Sequence, residues 1–266
     1  MNRDRLSVCI TACDEEDKIH NCLRSVDWAD EIVVVDSYSR DRTLDICREY
    51  TDKVYQNEWL GYIGQKNLVK QKASHPWILF IDADEEVSPQ LRDQILAEFE
   101  SGRNREVDGY EFPRKVLYMG QWITHGEWYP DYKMRLFRGD RGVCAGKEPH
   151  DRITVPGPVR RLKGDLYHYT YANMYEQLDT LNKFSSITAR DKFNRGMRFR
   201  WRDLLFRPCY RFFKAYVLKR GFLDGSHGFI IAVCSSYAVF IKYAKLLELW
   251  HTGQPGASDD PQAHEK

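Results

Sequence analysis

Through the first ninety positions, apolar residues fall into short β-branched runs separated by amphipathic stretches, the pattern of a layered α/β domain. Leu6 to Ala12 reads as a buried strand. The next apolar positions, Ile19, Cys22, Leu23 and Val26, recur at three- and four-residue steps and predict a helix. Glu31 to Asp36 is a β-branched strand ending on an aspartate. Ser39-Arg40-Asp41-Arg42-Thr43 then opens a second helix, with Ser39 or Asp41 as N-cap. Lys53 to Tyr55 is a short third strand and Gly64 to Ala73 a helix. The apolar run Trp77 to Ile81 leads into Asp82-Ala83-Asp84. This order predicts a largely parallel central sheet with helices on its faces.

Beyond Pro89 the periodicity loosens. Leu91 to Phe99 is an amphipathic helix. Asp108 to Tyr171 is rich in aromatics, glycine and short β-like runs such as Gly109–Phe112 and Lys133–Phe137, which predict an antiparallel extension of the sheet. Met174 to Phe193 returns to helix. Trp201 to Trp250 is a basic-aromatic and then apolar tail, broken at Gly221 to Gly228, and His251 to Lys266 is a polar stretch expected to be disordered. The expected division is therefore a catalytic domain over 1–197, a helical tail over 198–250 and a polar segment over 251–266. The longest apolar run, Phe229 to Ile241, stops at Lys242 and falls short of the ~18 residues of a membrane-spanning helix. The opening run before Asp14 is too short and wrongly flanked for a signal peptide.

Charge changes this picture more than composition does. The 266 residues are 42% hydrophobic and 30% charged, with a net charge of +1. That near-neutrality hides an asymmetry: from Lys183 to Arg220 twelve basic residues face only Asp191 and Asp203, a block of +10 against −9 for the rest. Such a local field implies an anionic partner. The seven cysteines are odd in number, scattered and without a CxxC pair, which fits a reducing compartment better than a disulfide framework or structural zinc.

The candidate chemistry starts at Asp82 and Asp84. Two positions apart, they share one side if the backbone stays extended. Open α/β sheets bind ligands just outside the carboxyl ends of their strands, and paired carboxylates there suit a hard divalent cation that holds nucleotide phosphates. The plainer alternative is a solvated acidic loop.

Three segments in order carry a resemblance. ITACDEEDKI (Ile10–Ile19) is close to a strand-to-helix turn that usually carries Asn-Glu-Glu, with Asp14 in place of the Asn. EIVVVDSYSRDRT (Glu31–Thr43) is close to VVDSGSTDGT, with Tyr38 and Arg40 at the Gly and Thr positions. GQKN (Gly64–Asn67) precedes FIDADE (Phe80–Glu85), a DxD motif. Together they resemble the family-2 inverting glycosyltransferases, and the match covers roughly the first hundred residues. YKMRLFRG, KEPHDRI, GPVRRLKGDLYHYTY and LKRGFLDGSHGF extend it, at lower specificity, to the bacterial lipopolysaccharide inner-core heptose β-1,4-glucosyltransferase branch.

The resemblance implies a GT-A nucleotide-sugar-binding fold and an inverting transfer of a hexose, with glucose favoured, from a UDP-sugar to a lipid-linked saccharide acceptor of the envelope, such as lipopolysaccharide core. It implies Asp84 as a ligand of Mg2+ or Mn2+, with Asp82 on ribose or metal, and His168 as a further ligand. The alternative for His168 is a half-buried histidine in an aromatic strand. Thr11 and Glu15 are expected to contact the nucleoside and Asp36 the uracil, unless Asp36 caps the next helix. Lys66 is expected on ribose or phosphate, unless it is a solvated helix lysine. An inverting reaction needs one carboxylate base near the acceptor oxygen. Aligning His150 of Glu148-Pro149-His150-Asp151 with the branch's His-Glu pair makes Asp151 the base and Glu148 its competitor. Arg135 and Arg138 either meet anionic groups of the acceptor or are exposed strand arginines.

In the tail, Trp201, Leu204, Leu205, Phe206, Phe212, Phe213 and Tyr216 interleave with Arg and Lys as in helices lying in a membrane interface. The expected location is cytoplasmic, peripheral on the inner face of the cell membrane, with an anionic membrane surface as partner. The alternative is a helix packed on the catalytic domain. A nucleic-acid partner is not expected, since it leaves the acidic cleft unexplained. Two other readings change the substrates or the class. One is transfer of a UDP-N-acetylhexosamine to an undecaprenyl-linked or capsular acceptor. The other, more remote, is a nucleotidyltransferase, whose glycine-rich, lysine-bearing loop is absent where ACDEED stands.

Overall fold

The computed structural model describes residues 3–147, 150–171 and 173–253. The polar segment expected to be disordered lies almost wholly outside them. Two compact units are present: Met1–Val116 with Pro130–Thr170, and Leu117–Tyr129 with the chain from Tyr171 onward.

In the first unit the predicted alternation is realised as β1 (Leu6–Ala12), α1 (Glu16–Arg24), β2 (Glu31–Asp36), α2 (Thr43–Tyr50), β3 (Val54–Gln56), α3 (Gly61–Lys72) and β4 (Trp77–Asp82). The strands lie in the order β3-β2-β1-β4, all parallel. Val8, Ile10, Val33, Val34, Leu79 and Ile81 are at most 1% exposed, so these runs are buried on both faces, as parallel strands require. Register places Thr11 beside Val35 on one side and Asp82 on the other, bringing three strand ends to one edge.

The antiparallel extension is also present. After the short β5 (Glu85–Val87), α4 (Pro89–Glu100) starts at Ser88, whose hydroxyl accepts from Leu91 N at 3.1 Å. β6 (Gly109–Tyr118), a two-residue β7 (Gln121–Trp122) and β8 (Asp131–Arg138) follow. β8 pairs antiparallel with both β4 and β6. β9 (Val143–Lys147) and β10 (His150–Thr154) form a separate hairpin, anchored by Cys144 and Ile153 in the cluster of Val33, Val35, Ile78 and Phe80. β11 (Val159–Arg161) joins β6, and β12 (Leu166–Tyr169) pairs antiparallel with β5.

Two local expectations fail for identifiable reasons. Neither Ser39 nor Asp41 is the N-cap of α2, a position that falls to Arg42 without a side-chain cap. Ser39 is drawn to Asp36 and Asp14, while Asp41 accepts from Glu16 N at 3.0 Å and Thr43 N at 2.9 Å. The backbone also does not stay extended through the acidic pair: β4 ends at Asp82, and Ala83-Asp84 form a turn. Glu85 closes that turn by accepting from Asp82 N at 3.0 Å, and Tyr169 N donates to Asp84 O at 3.0 Å.

The second unit is built on α5 (Met174–Asn194), α6 (Trp201–Phe213) and α7 (Gly225–Thr252) around Ala189, Leu204, Tyr243, Leu246 and Leu249. On α6, Leu204 and Pro208 are buried four residues apart, and Phe206, Tyr210 and Phe213 are exposed on the opposite stripe. The expected break at Gly221–Gly228 ends at Asp224. Gly225 already begins a 28-residue helix, because Gly228 lets it pass close to Gly221: a Cβ there would lie 1.8 Å from Gly221 O. The helical stretch Gly221–Thr252 is long and apolar enough to cross a membrane by length and composition, with mean hydropathy 1.6 over its best window. This corrects the expectation of too short a run, which stopped at Lys242. Only 28% of that window is buried.

Candidate active site

The parallel strands deliver Thr11, Asp36 and Asp82 to one edge of the first unit, and the loops after β1 and β2 lock onto each other there. Asp14 N donates to Ser39 Oγ at 2.9 Å, Arg40 N to Asp14 Oδ1 at 2.7 Å, Glu15 N to Thr43 Oγ1 at 2.8 Å and Arg42 N to Glu16 Oε2 at 3.0 Å. Asp14 (φ +52°) and Tyr38 (φ +58°) hold the left-handed conformation, a strain that persists only where surroundings enforce it. Tyr38 is 55% exposed. Asp36 is fully buried and accepts from Ser39 N at 3.1 Å, from Ser39 Oγ, and from Gln56 Nε2 at 3.2 Å. Its carboxylate therefore fixes the 37–42 loop.

Glu15 sits just ahead of α1, 3.3 Å from Lys18. Burial pushes its carboxyl above the ordinary range against the pull of Lys18, and the charge of Asp84 adds to the rise. Glu15 and Asp84 thus sense one another.

Asp82 and Asp84 go to different partners. Asp82 meets Lys66 Nζ at 3.2 Å and Arg135 Nη2 at 2.6 Å. Burial acts to raise its pKa, but Arg135 and Lys66 override it and hold the carboxyl well below the usual carboxylate range. Lys66 is no solvated helix lysine: it is 5% exposed. Arg135, expected to face the acceptor or solvent, is likewise buried, and it also reaches Glu85 at 3.1 Å. Glu85 is fully buried, with Arg114 at 3.7 Å, and Arg114 bonds Asp131 at 3.0 Å. Sequence reasoning gave Glu85 no role. Its one signal was its place beside Asp84 in a run of acids. Arg138 stays at the surface with Asp140 at 3.4 Å.

Asp84 faces β12. Its Oδ2 stands 3.1 Å from His168 Nε2, and both side chains are mostly buried. His168 Nδ1 is buried and, among the described residues, has no hydrogen-bond partner. Among the described residues no group of three His, Cys, Asp or Glu converges on a common point. One carboxylate and one imidazole nonetheless fit a divalent ion that takes its other ligands from phosphate and water. At bond lengths of about 2.1 Å, adjacent ligands of an octahedral ion stand roughly 3 Å apart. Of the two candidate bases, Glu148 lies outside the described residues. Asp151 stands on β10 opposite Gly146, and its side chain is outside them.

The family model described as Glycosyl transferase family 2 matches residues 7–153, which take in Thr11, Glu15, Asp36, Lys66, Asp82 and Asp84 and end before His168. The chain belongs to glycosyl transferase family 2. Among curated relatives, an uncharacterized glycosyltransferase of Rickettsia typhi is 30% identical over 255 residues, covering 92% of this chain and 87% of the relative. The lipopolysaccharide core biosynthesis glycosyltransferase LpsC of Rhizobium meliloti is 30% identical over 250 residues, covering 91% and 92%. Among solved structures, S. aureus TarS 1-349 in complex with UDP-GlcNAc aligns over 94% of this chain and 92% of its own, at 16% identity and TM-score 0.48. As a family-2 glycosyltransferase the chain has the α/β GT-A fold: a mixed sheet with a parallel block β3-β2-β1-β4 and an antiparallel extension, and a C-terminal helical segment.

Proposed function

We propose that the chain transfers a hexose, glucose by the resemblance, from a UDP-sugar to a lipid-linked glycan of the bacterial envelope, with inversion at the anomeric carbon. The observation that carries this is the Asp84–His168 pair at 3.1 Å, at the strand edge where a nucleotide binds in open α/β sheets. Likeness to LpsC over nearly the full length of both chains supports an envelope-glycan acceptor.

Thr11, Glu15 and the Asp36-braced loop receive the nucleoside. Lys66 and Arg135, oriented by Asp82 and Glu85, supply positive charge beside the diphosphate. Asp84 and His168 are the residues that would hold Mg2+ or Mn2+, which supplies Lewis-acid neutralisation of the leaving UDP. In the transfer, the bond from the sugar's anomeric carbon to the UDP oxygen breaks, and the acceptor oxygen bonds that carbon from the opposite face. The acceptor's proton passes to a carboxylate, Asp151 first and Glu148 second. The exposed basic and aromatic face of the helical unit supports a peripheral position on the cytoplasmic face of the membrane, where a lipid-linked acceptor lies.

The test is a screen of UDP-sugar hydrolysis with Mg2+, Mn2+ or chelator. UDP-glucose is expected to lead. Asp84→Ala should cut metal-dependent turnover at least about a hundredfold while the thermal midpoint stays near that of the parent. A flat response across donors removes the donor assignment. Asp151→Asn should lower turnover with donor affinity unchanged; if Glu148→Gln does so instead, the base is Glu148.

A further inference from the structure

The helical unit gathers cations that its carboxylates do not neutralise. Lys192 on α5, Arg207 on α6 and Lys242 on α7 surround the ring of Tyr243, with cationic centres 5.7, 5.6 and 5.2 Å from its centroid. Tyr243 is 4% exposed and fixed in the apolar cluster with Leu204 and Leu246, so it is a rigid floor beneath three charges. Arg207 has Asp203 at 2.7 Å. On the next turn of α6, Arg211 has Glu127 at 2.8 Å, which Lys214 shares at 3.2 Å. Lys192 donates only to the Met197 thioether, at 3.4 Å, and among the described residues neither Lys192 nor Lys242 has a carboxylate partner. Burial, together with the charges of Lys192, Arg207 and Arg211, lowers the Lys242 pKa. Like charges converging on a half-buried ammonium cost stability unless an anion offsets them.

We propose that Lys192, Arg207 and Lys242 form a seat for a phosphate group, that of an anionic lipid headgroup, through which the helical unit docks on a bilayer. The apolar surroundings favour a lipid over free phosphate. On α6 Phe206, Tyr210 and Phe213 are 49–71% exposed at three- and four-residue steps, on a face that flanks Arg207. An exposed apolar stripe flanking a cation suits the boundary between headgroups and acyl chains. Helix α7 lies on the surface in this arrangement and keeps its protein contacts: Ser236 Oγ donates to Pro208 O at 2.9 Å and Lys245 Nζ to Asn182 O at 2.9 Å. The seat deepens the membrane placement proposed above and does not depend on the identity of the donor sugar.

The experiment is co-sedimentation of the full chain with vesicles of phosphatidylcholine alone and of phosphatidylcholine containing phosphatidylglycerol. The wild type should bind only the anionic vesicles. The double variant K192Q/K242Q should lose roughly thirtyfold in affinity, about fivefold per cation. K183Q/R195Q removes the same charge from lysine and arginine already paired with Asp179 and Asp191, and should lose less than about threefold. Equal losses in both variants would reduce the seat to a diffuse field and overturn it, as would equal binding to neutral vesicles. Without vesicles K242Q should melt no lower than the parent, since it removes a repelled ammonium; a clear drop would make Lys242 structural and overturn the assignment. If inorganic phosphate raises the melting midpoint of the wild type while anionic vesicles do not bind, the lipid source is wrong. UDP-sugar hydrolysis in free solution should be unchanged in K192Q/K242Q, which separates failure of the seat from failure of the donor reading.

Discussion

The two units handle charge and apolar surface in opposite ways. In the first, the strongly buried carboxylates described at the strand edge are satisfied: Asp82 by Lys66 and Arg135, Glu85 by Arg135 and Arg114, and Asp36 by the neutral donors of Ser39 and Gln56. Away from that edge, Glu98 holds Arg160 at 2.5 Å, Arg103 at 2.9 Å and the Tyr110 hydroxyl at 3.0 Å. In the second unit, among the described residues, Lys192 and Lys242 have no carboxylate partner, and Phe206, Tyr210 and Phe213 of α6 are exposed beside the buried Leu204. Compensated buried charge positions side chains for chemistry, whereas uncompensated charge beside exposed apolar surface awaits a partner. Under the proposed function and the proposed seat, the same residue types serve catalysis in one unit and docking in the other.

That contrast breaks first at Arg135. Arg135→Leu strands Glu85 and Asp82 without their shared cation and should destabilise the first unit by about 3–5 kcal/mol in urea denaturation. Arg138→Leu, whose partner Asp140 is exposed, should stay within about 0.5 kcal/mol. Similar losses in the two would mean that the Asp82–Arg135–Glu85 network does not organise the edge. In the second unit the comparable weak point is steric. Gly228→Ala places a Cβ 1.8 Å from Gly221 O and should cost about 1–3 kcal/mol, read as a lowered melting midpoint.

Acid offers a finer test of the compensated unit. Glu31 at the start of β2 is nearly buried and is held by Lys53, by Ser7, and by Ser74 N at 2.8 Å. Burial acts to raise its pKa, but these hydrogen bonds bring it down to about 2 from 4.5. A depressed carboxyl stabilises the fold above its unfolded value, and that stability is lost as pH falls from 4.5 towards 2. With Lys53 half-exposed, the contribution is discounted to about 1–2 kcal/mol. Glu31→Gln should therefore flatten the stability profile over that window and leave it parallel to the parent above pH 5. An unchanged slope in the variant would assign the acid loss to other carboxylates.

What was legible from sequence is what local pattern encodes. The β-branched runs of β1, β2 and β4 and the three- and four-residue steps of α1 read correctly, because burial on a sheet or a helix face imposes those periods. The Asp84 and His168 meeting came from the resemblance, since they lie 84 residues apart and no local rule pairs them. Whether the backbone stays extended past Asp82 is not legible locally: the turn at Ala83-Asp84 is closed by Glu85 three residues on and by Tyr169 N from the distant β12. The sequence places Lys66 on ribose or phosphate and leaves Arg135 between the acceptor and solvent. Only the fold reveals that they share one aspartate. The start of α7 was misread for a related reason: glycines at 225 and 228 signal a break locally, yet at Gly228 the missing side chain admits the Gly221 carbonyl.

The smallest expected effect is the sharpest statement of the comparison. Phe206 and Phe213 are 71% and 49% exposed, so replacing each with Ser should change unfolding free energy by no more than about 0.5 kcal/mol. Phe80, 1% exposed between the sheet and Phe137, should cost at least about 3 kcal/mol when cut to Ala. The two exposed rings matter only if something covers them. Phe206→Ser with Phe213→Ser should therefore be silent in thermal melts and visible in binding to anionic vesicles. A large loss of stability instead would mean that these rings are packed in the folded protein, and the exposed stripe of α6 would no longer distinguish the second unit from the first.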